Sequence, residues 1–273
     1  MHQRCACGHT TRAQACRADD DLLWPGVDIG EQRLLGARLA ATVVYLCLRM
    51  RLPRRKVSEL LLELFALELS AALIDQAVHQ AGRCVAPLED QLALQLEQAV
   101  VLHIDETTWP EKTLLLWLWV FCCSHTVLYV IGQRTKEMFE NALSADFAGT
   151  LMSDGYGVYR ARALREVARE FLNDWDVIMR PLADPRLPLT NNAAERQLRH
   201  YVIARRISYG TRTPVGSHSV ALLASIIDTC RLRGASATTL LARAIHAART
   251  GLPAPSLPPI PTHLGSSASQ MAA

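Results

Sequence analysis

The 273-residue sequence has no long hydrophobic run. The longest, Leu114–Cys123, is about half of the ~20 residues that a membrane-spanning helix needs. Its first residues are polar and include a cysteine, so the apolar centre of a secretory signal peptide is missing. We therefore expect a cytoplasmic protein with no membrane partner.

The sequence also lacks the regular cysteine spacing of a secreted disulfide framework. It has eight cysteines, irregularly placed, and two of them are adjacent. A reducing compartment is therefore expected. Cysteines in apolar surroundings are expected to be core residues, namely Cys47, Cys84, Cys122, Cys123 and Cys230.

A strong net charge is missing as well. The sequence has 29 Lys and Arg against 26 Asp and Glu, a net charge of +3, which excludes a histone-like polycation. The charge is uneven, because residues 160–249 contain 15 arginines and only seven acidic residues. A basic half of this kind can bind a polyanion while the whole protein stays close to neutral.

Residues 1–29 have no clear periodicity but contain clustered metal-ligand types. Cys-x-Cys followed by a lone cysteine is a poor match to the paired spacing of structural zinc sites. Free thiols are therefore favoured over a Zn²⁺ site. The side chains concerned are Cys5, Cys7, His9 and Cys16.

Residues 30–99 have the periodicity of helices. Apolar residues recur every three or four positions, Pro53 marks a break, and Ser70 is a suitable N-cap for a helix over 71–81. Two short helices around a tight turn are typical of a helix-turn-helix DNA-binding region. An all-α bundle with a solvated basic edge fits the same pattern. The basic residues at the entrance include Arg54, Arg55 and Lys56.

From residue 100 the periodicity changes to that of strands. Three β-rich runs at 100–105, 114–121 and 126–131 precede a helix capped by Thr135, and 149–154 is a fourth candidate strand. This order predicts a mixed α/β sheet. Further helices are predicted at 162–179, from about 192, at 217–232 and at 238–248, and the proline-rich tail 251–273 is expected to be disordered.

Three carboxylates are candidates for one site. Asp105 and Asp154 are each predicted to end a strand, where α/β sheets commonly place ligands, although each is also a common turn residue. Glu195 lies near the start of a helix, where Asn192-x-x-Glu195 also has the spacing of a capping box. Three carboxylates around one point repel one another unless cations such as Mg²⁺ lie between them. Alternation places His103 on the same face as Asp105, where a packed histidine is favoured over a ligand.

Arginines follow Glu195 closely. Guanidinium groups match the geometry of phosphates and would suit a track for a DNA backbone. A solvated helix face, with Glu195 paired to Arg199, explains the same pattern. The candidates for DNA contact are Arg196, Arg199, Arg205 and Arg206.

Four ordered motifs together resemble the DDE transposases of the insertion sequence 66 family. They are residues 105–109, 116–120, 153–156 and 191–196, the last reading Asn-Asn-Ala-Ala-Glu-Arg. The resemblance covers about residues 30–248. It implies a ribonuclease H-like catalytic domain over 100–250, with Asp105, Asp154 and Glu195 as ligands of Mg²⁺ or Mn²⁺.

The resemblance also implies a function and partners. It implies a transposase that binds the ends of a bacterial insertion sequence and cleaves and transfers DNA strands into target DNA. A homo-oligomer on DNA and accessory proteins encoded by the element are further implied partners. A ribonuclease H-like nuclease acting outside transposition is another candidate.

The sequence departs from the family pattern between two of the carboxylates. Asp154 and Glu195 are 41 residues apart, whereas the family has a much longer segment with a strand and a helical insertion. An internal deletion and a sheet without its last strand are therefore expected. A catalytically dead, DNA-binding transposase remnant is the alternative to an active enzyme.

Overall fold

The computed structural model describes residues 2–4, 10–12, 35–144, 147–153, 184, 187–188 and 190–261. Near the N-terminus, β1 (His2–Arg4) and β2 (Thr10–Arg12) form an antiparallel pair within the segment that the sequence predicts to be irregular. The predicted helix at 162–179 lies outside the described residues.

Four helices follow in the order that the sequence predicts. α2 begins directly after Pro53, and the Ser70 hydroxyl accepts a hydrogen bond from the backbone N–H of Leu73 at the start of α3. No helix in the described part of the chain has the length and apolarity needed to cross a membrane. The helices are α1 (Ala37–Leu48), α2 (Arg54–Phe65), α3 (Ala71–Val85) and, after a 3-10 turn at Ala86–Leu88, α4 (Glu89–Glu97).

A four-stranded mixed sheet follows, which confirms the mixed α/β class. Its strands are β3 (Val101–Glu111), β4 (Leu114–Cys122), β5 (Val127–Gly132) and β6 (Thr150–Met152). The order is β5-β4-β3-β6, with β6 parallel to β3 and the other pairs antiparallel. Between β5 and β6 lies α5 (Lys136–Ala142), capped by the hydroxyl of Thr135 as predicted.

The prediction that the first strand ends at Asp105 is wrong. β3 continues to Glu111 and pairs with β4 along its length, so Asp105 lies in mid-strand opposite Val120. The chain reverses only at the following turn, where Lys112 has a φ of 51°. Threonine and tryptophan after Asp105 favour strands, and pairing with β4 satisfies their backbone groups.

Three long helices complete the described fold. They are α6 (Asn192–Ser208), α7 (Pro214–Leu232) and α8 (Ala237–Thr250). Beyond them, Leu257 is buried and its N–H donates to Gln91 Oε1 at 3.1 Å, while the Pro258 carbonyl accepts from Arg233. Residues 255–258 of the predicted disordered tail therefore pack against the body of the protein.

α7 covers the outer edge of β5 with hydroxyl groups. Ser225 Oγ accepts from the N–H of Tyr129 at 2.8 Å, and Thr229 Oγ1 accepts from the N–H of Val127 at 3.0 Å. An uncovered strand edge would leave these backbone donors without protein partners. Small polar residues in an apolar helix thus fix α7 along the sheet.

The two faces of the sheet contact different helices. Leu102 and Ile104 of β3 join the main core with α1, α3, α7 and α8. On the other face, Val120 packs with Leu198 and Tyr201 of α6. Because successive residues of a strand point to opposite faces, Asp105 lies on the α6 face, whereas Leu102 and Ile104 face the main core.

The helix pair α2–α3 is not a separate unit of the fold, and its role in DNA binding stays a prediction. α3 packs against α1, α7 and α8, and Gly82 lies so close to Ser219 of α7 that a Cβ atom would overlap it. The predicted helical region 30–99 instead shares one core with the C-terminal helices.

Candidate functional site

Asp105 lies on the face of the sheet that α6 covers. Its cross-strand partner Val120 is buried in the cluster formed with α6, and directly paired residues share a face. Alternation places His103 on this face too, as the sequence predicts. Asp105 is half-buried, and its Oδ1 accepts a hydrogen bond of 2.8 Å from the N–H of Glu106.

Asn191 fastens the start of α6 to β3. Its side chain is only 7% exposed, and its Nδ2 donates to the Ile104 carbonyl oxygen at 2.8 Å. Its Oδ1 lies 3.0 Å from Nδ1 of His103. Ile104 directly precedes Asp105 in the strand. The first turn of α6 is therefore held beside this part of β3.

Glu195 lies in that first turn and is exposed. The N-cap of α6 is Asn191 rather than Asn192, and it makes no side-chain capping bond. Among the described residues, the Glu195 side chain has no hydrogen-bond partner. The capping-box alternative is therefore wrong, because Glu195 does not bond back to the start of its own helix.

His103 is a packed histidine that supports this arrangement. Because Asn191 Oδ1 can only accept, Nδ1 of His103 carries the proton of their hydrogen bond. Burial lowers the pKa of His103, and the positive charge of Arg196 lowers it further, against a smaller opposing effect of the Asn191 bond. The ring is therefore neutral at pH 7 and adds no charge beside Asp105.

Asp154 lies outside the described residues, as do Cys5, Cys7, His9 and Cys16. β6 ends at Met152, two residues before Asp154. Within the described ranges, no group of three His, Cys, Asp or Glu side chains could hold a metal ion. The predicted set of three carboxylates thus stays a prediction, with Asp105 and Glu195 on adjoining elements.

The four arginines predicted to contact DNA differ in their surroundings. Arg196, Arg199 and Arg206 are exposed along α6. Arg205 instead donates to Thr107 Oγ1 at 3.1 Å and to both the carbonyl and hydroxyl oxygens of Thr108. Burial lowers the pKa of Arg205, as does the charge of Arg206. Arg205 thus ties α6 to the second half of β3.

The basic residues at the start of α2 are also mostly paired. Arg54 Nε lies 3.3 Å from Asp75 Oδ1, and Lys56 Nζ lies 2.7 Å from Glu59 Oε2. Arg55 is exposed, with no ion-pair partner in the part of the chain that the structure describes. Of these three residues, Arg55 is therefore the one for which no described carboxylate competes with a phosphate.

A buried carboxylate that sequence reasoning missed holds the middle of α6. Asp228 is 1% exposed, and its Oδ2 accepts hydrogen bonds of 3.0 Å from the hydroxyls of Tyr129 and Tyr201. Its Oδ1 lies 2.9 Å from Nη1 of Arg231 and 3.5 Å from Nη1 of Arg49. Burial raises the pKa of both tyrosines, so their hydroxyls keep the protons that they donate. The signal in the sequence is a lone acid in the apolar part of α7.

The neighbour of Asp105 has a separate, structural role. Glu106 points to the opposite face, where its buried carboxylate pairs with Arg134 at 2.6 Å. The Arg134 guanidinium lies 4.1 Å from the ring centroid of Trp117. Of these adjacent acids, Asp105 alone lies on the α6 face.

The family model described as Transposase IS66 family matches residues 32–163 and 160–219, together more than half of the chain. The chain belongs to this family. In this IS66 family member the match is in two segments that meet at 160–163, within the interval between Asp154 and Glu195. No curated protein and no solved structure matches the chain.

Proposed function

We propose that this protein is a DNA transposase that uses Asp105, Asp154 and Glu195 to cut and join DNA strands at transposon ends. The observation that carries the proposal is the pair of hydrogen bonds made by Asn191 to Ile104 and His103. They bring the turn that bears Glu195 to the face of β3 that bears Asp105. Two carboxylates from distant parts of the sequence are thereby candidates for one site.

The pairing of β3 with β6 supports the inclusion of Asp154. Partners in this parallel pair differ by 49 in residue number, as in Val101 with Thr150 and His103 with Met152. The same difference separates Asp105 from Asp154 in the sequence. Since neighbouring parallel strands keep a constant register, we propose that the two aspartates share a site. Three antiparallel strands followed by a parallel one also support a ribonuclease H-like core.

The donor set fits Mg²⁺ or Mn²⁺, because both ions prefer carboxylate oxygen ligands. When bound, such ions activate a water or 3′-hydroxyl and stabilise the leaving oxygen of a phosphodiester. In this proposal Asp105, Asp154 and Glu195 are the ligands, and Asn191 positions the first turn of α6. The neutral ring of His103 supports Asn191 without opposing the positive charge of a metal ion.

The exposed arginines of α6 are proposed to bind the DNA backbone. Arg196, Arg199 and Arg206 lie on the helix that carries Glu195, so phosphates bound there would follow a path from the site along α6. Arg205 is not part of this proposed surface, because its guanidinium is bound to β3. A homo-oligomer on DNA and element-encoded accessory proteins remain proposals that follow from the family.

A remnant that binds transposon ends without cutting is the second candidate. The observation that favours it is the break in the family match at residues 160–163. This break agrees with the internal deletion expected between Asp154 and Glu195. The two candidates share DNA binding and differ in catalysis.

The test is cleavage of labelled DNA from the ends of the element that encodes the chain, with Mg²⁺ or Mn²⁺. We expect the natural protein to cleave and Asp105→Ala to bind the same DNA without cleaving it. The matched control is Asp90→Ala, which removes an exposed acid from α4 and should leave cleavage unchanged. Equal cleavage by Asp105→Ala would reject the assigned site. Binding without cleavage by all three proteins would favour the remnant.

A further inference from the structure

The turn between β3 and β4 and the loop between α6 and α7 form one fixed corner. We define this hairpin corner as residues 110–115 and 209–212. Thr211 joins the two segments, since its N–H donates to the Pro110 carbonyl at 3.0 Å and its carbonyl accepts from Lys112 N–H at 2.8 Å. Its hydroxyl also accepts from Nε1 of Trp109 at 3.0 Å. The exposed side chains of the corner are therefore carried on a hydrogen-bonded base.

Tyr209 is the most unusual of these side chains. It is 84% exposed, and it ends α6 with a φ of 57°, in the left-handed region. A bulky residue in this conformation is an outlier, because glycine or asparagine usually occupies such helix ends. Since the ring gains almost no packing in return, Tyr209 is more costly than Asn or Gly would be in the folded protein. An uncompensated outlier of this kind points to a role outside folding.

The corner is also positively charged. Lys112, Arg206 and Arg212 are exposed at or beside it, and none has an acidic partner among the residues that the structure describes. Glu111, the acid of the corner, is buried and accepts a hydrogen bond from Ser217. Three exposed cations beside an exposed aromatic ring suit a polyanion that also has flat apolar surfaces. DNA with an unpaired base has this chemistry, whereas the base faces of an intact duplex are covered by stacking.

Tyr209 of the corner directly follows the helix that carries Glu195. Tyr209 follows Glu195 by 14 residues, which corresponds to about 21 Å along an α-helix. At ~3.4 Å per base step, this length corresponds to about six nucleotides of DNA. Arg199 is exposed between the two ends. A DNA strand that follows α6 from the site would therefore reach the corner about six nucleotides away.

We propose that the hairpin corner is a second DNA contact, where Tyr209 stacks on an unpaired base and Lys112, Arg206 and Arg212 bind the flanking phosphates. The inference rests on the proposed function, since the DNA is the substrate of the same site. An aromatic platform surrounded by cations is the general way in which proteins bind single-stranded DNA.

The experiment compares two probes, a duplex of about 20 base pairs and the same duplex with a single-stranded extension. Binding is measured by fluorescence anisotropy in EDTA, so that cleavage plays no part. Tyr209→Asn removes the ring but suits the left-handed backbone, so it should fold. We expect it to weaken binding of the extended probe roughly fivefold or more, with little change for the blunt duplex. Tyr209→Phe keeps the ring and should retain natural affinity for both.

The cations are tested by substitution at matched arginines. Arg206→Ala should weaken binding of both probes and reduce the salt dependence of binding, because a phosphate contact is lost. Arg243→Ala removes an exposed arginine from α8 and should change neither.

The inference is overturned if Tyr209→Asn binds the extended probe as the natural protein does, or if it weakens both probes equally. Failure of the proposed catalysis would look different, since the natural protein would show these binding differences and yet not cleave with Mg²⁺ or Mn²⁺. Absence of binding to either probe by the natural protein would overturn both proposals.

Discussion

The side-chain amide of Asn191 donates a 2.8 Å hydrogen bond to the backbone carbonyl of Ile104, 87 residues earlier in the chain. Asn191 is the N-cap residue of α6, yet its side chain binds the strand rather than its own helix. The start of α6 is therefore positioned by β3. This bond, and not a capping bond within α6, holds the turn that bears Glu195 beside the part of β3 that bears Asp105.

Asn191→Ala should destabilise the protein by about 1–3 kcal/mol, because it leaves a buried carbonyl and the His103 Nδ1–H without partners. Unfolding in urea measures the loss. Asn192→Ala is the matched control, since Asn192 is exposed in the same turn and should change stability by less than about 0.5 kcal/mol. Equal effects of the two substitutions would contradict the anchoring role of Asn191.

Asp228→Ala should destabilise the protein by about 3 kcal/mol, because the buried hydroxyls of Tyr129 and Tyr201 lose their acceptor. The comparison is Asp75→Ala, which removes a half-exposed carboxylate paired with Arg54 and should cost about 1 kcal/mol or less. Hydrogen exchange gives a second measurement, in which α6 amides should exchange faster in Asp228→Ala alone. Unchanged exchange in α6 would show that Asp228 does not hold this helix.

Gly210→Ala should be clearly more destabilising than Gly234→Ala. Both glycines have positive φ, 82° and 65°, so each substitution carries a backbone cost of about 1 kcal/mol. A Cβ at Gly210 would also overlap the Pro110 carbonyl, whereas the space around Gly234 is open. The total for Gly210→Ala is therefore about 3 kcal/mol. Equal midpoints of urea unfolding for the two variants would refute the close approach at Pro110.

Stability should fall as the pH decreases from 7.5 to 5.5. Burial lowers the pKa of His103, His125 and His200 below the ordinary value of 6.5. Below that value the unfolded chain binds protons that the folded protein does not, so the free energy of unfolding decreases. Urea unfolding at the two pH values measures the decrease. His200→Gln, which keeps a donor for the Leu48 carbonyl, should reduce it, and an unchanged decrease would contradict the contribution of His200.

Local signals in the sequence predict the helix starts well. Ser70 and Thr135 cap α3 and α5 as expected, because a cap hydroxyl bonds to an N–H only three residues away. The end of β3 is predicted wrongly, since pairing with β4 decides how far the strand continues. A local pattern does not contain the partner strand.

Only part of the candidate site is predicted, because a local pattern also does not contain the residues that pack against it. Asp105 and Glu195 could be selected from residue type and spacing, and the face of Asp105 follows from alternation. The sequence treats Arg205 like Arg199 and Arg206, because Thr107 and Thr108, which accept the hydrogen bonds of Arg205, are distant from it in the chain. The packing of α3 among α1, α7 and α8 was not predicted either, because it depends on helices that are distant in the chain.

The sequence by itself determined the family, the mixed α/β class, the helix caps and the carboxylates worth testing, since these depend on residue type, local hydrogen bonds and periodicity. Only the tertiary structure decided which of the candidate side chains are exposed and which are bound to other residues. It packed α3 against α1, α7 and α8, bound Arg205 to Thr107 and Thr108, and turned Asn191 toward Ile104. Buried polar groups must find partners wherever the fold brings them, and those partners lie 87 to 98 residues away in the chain.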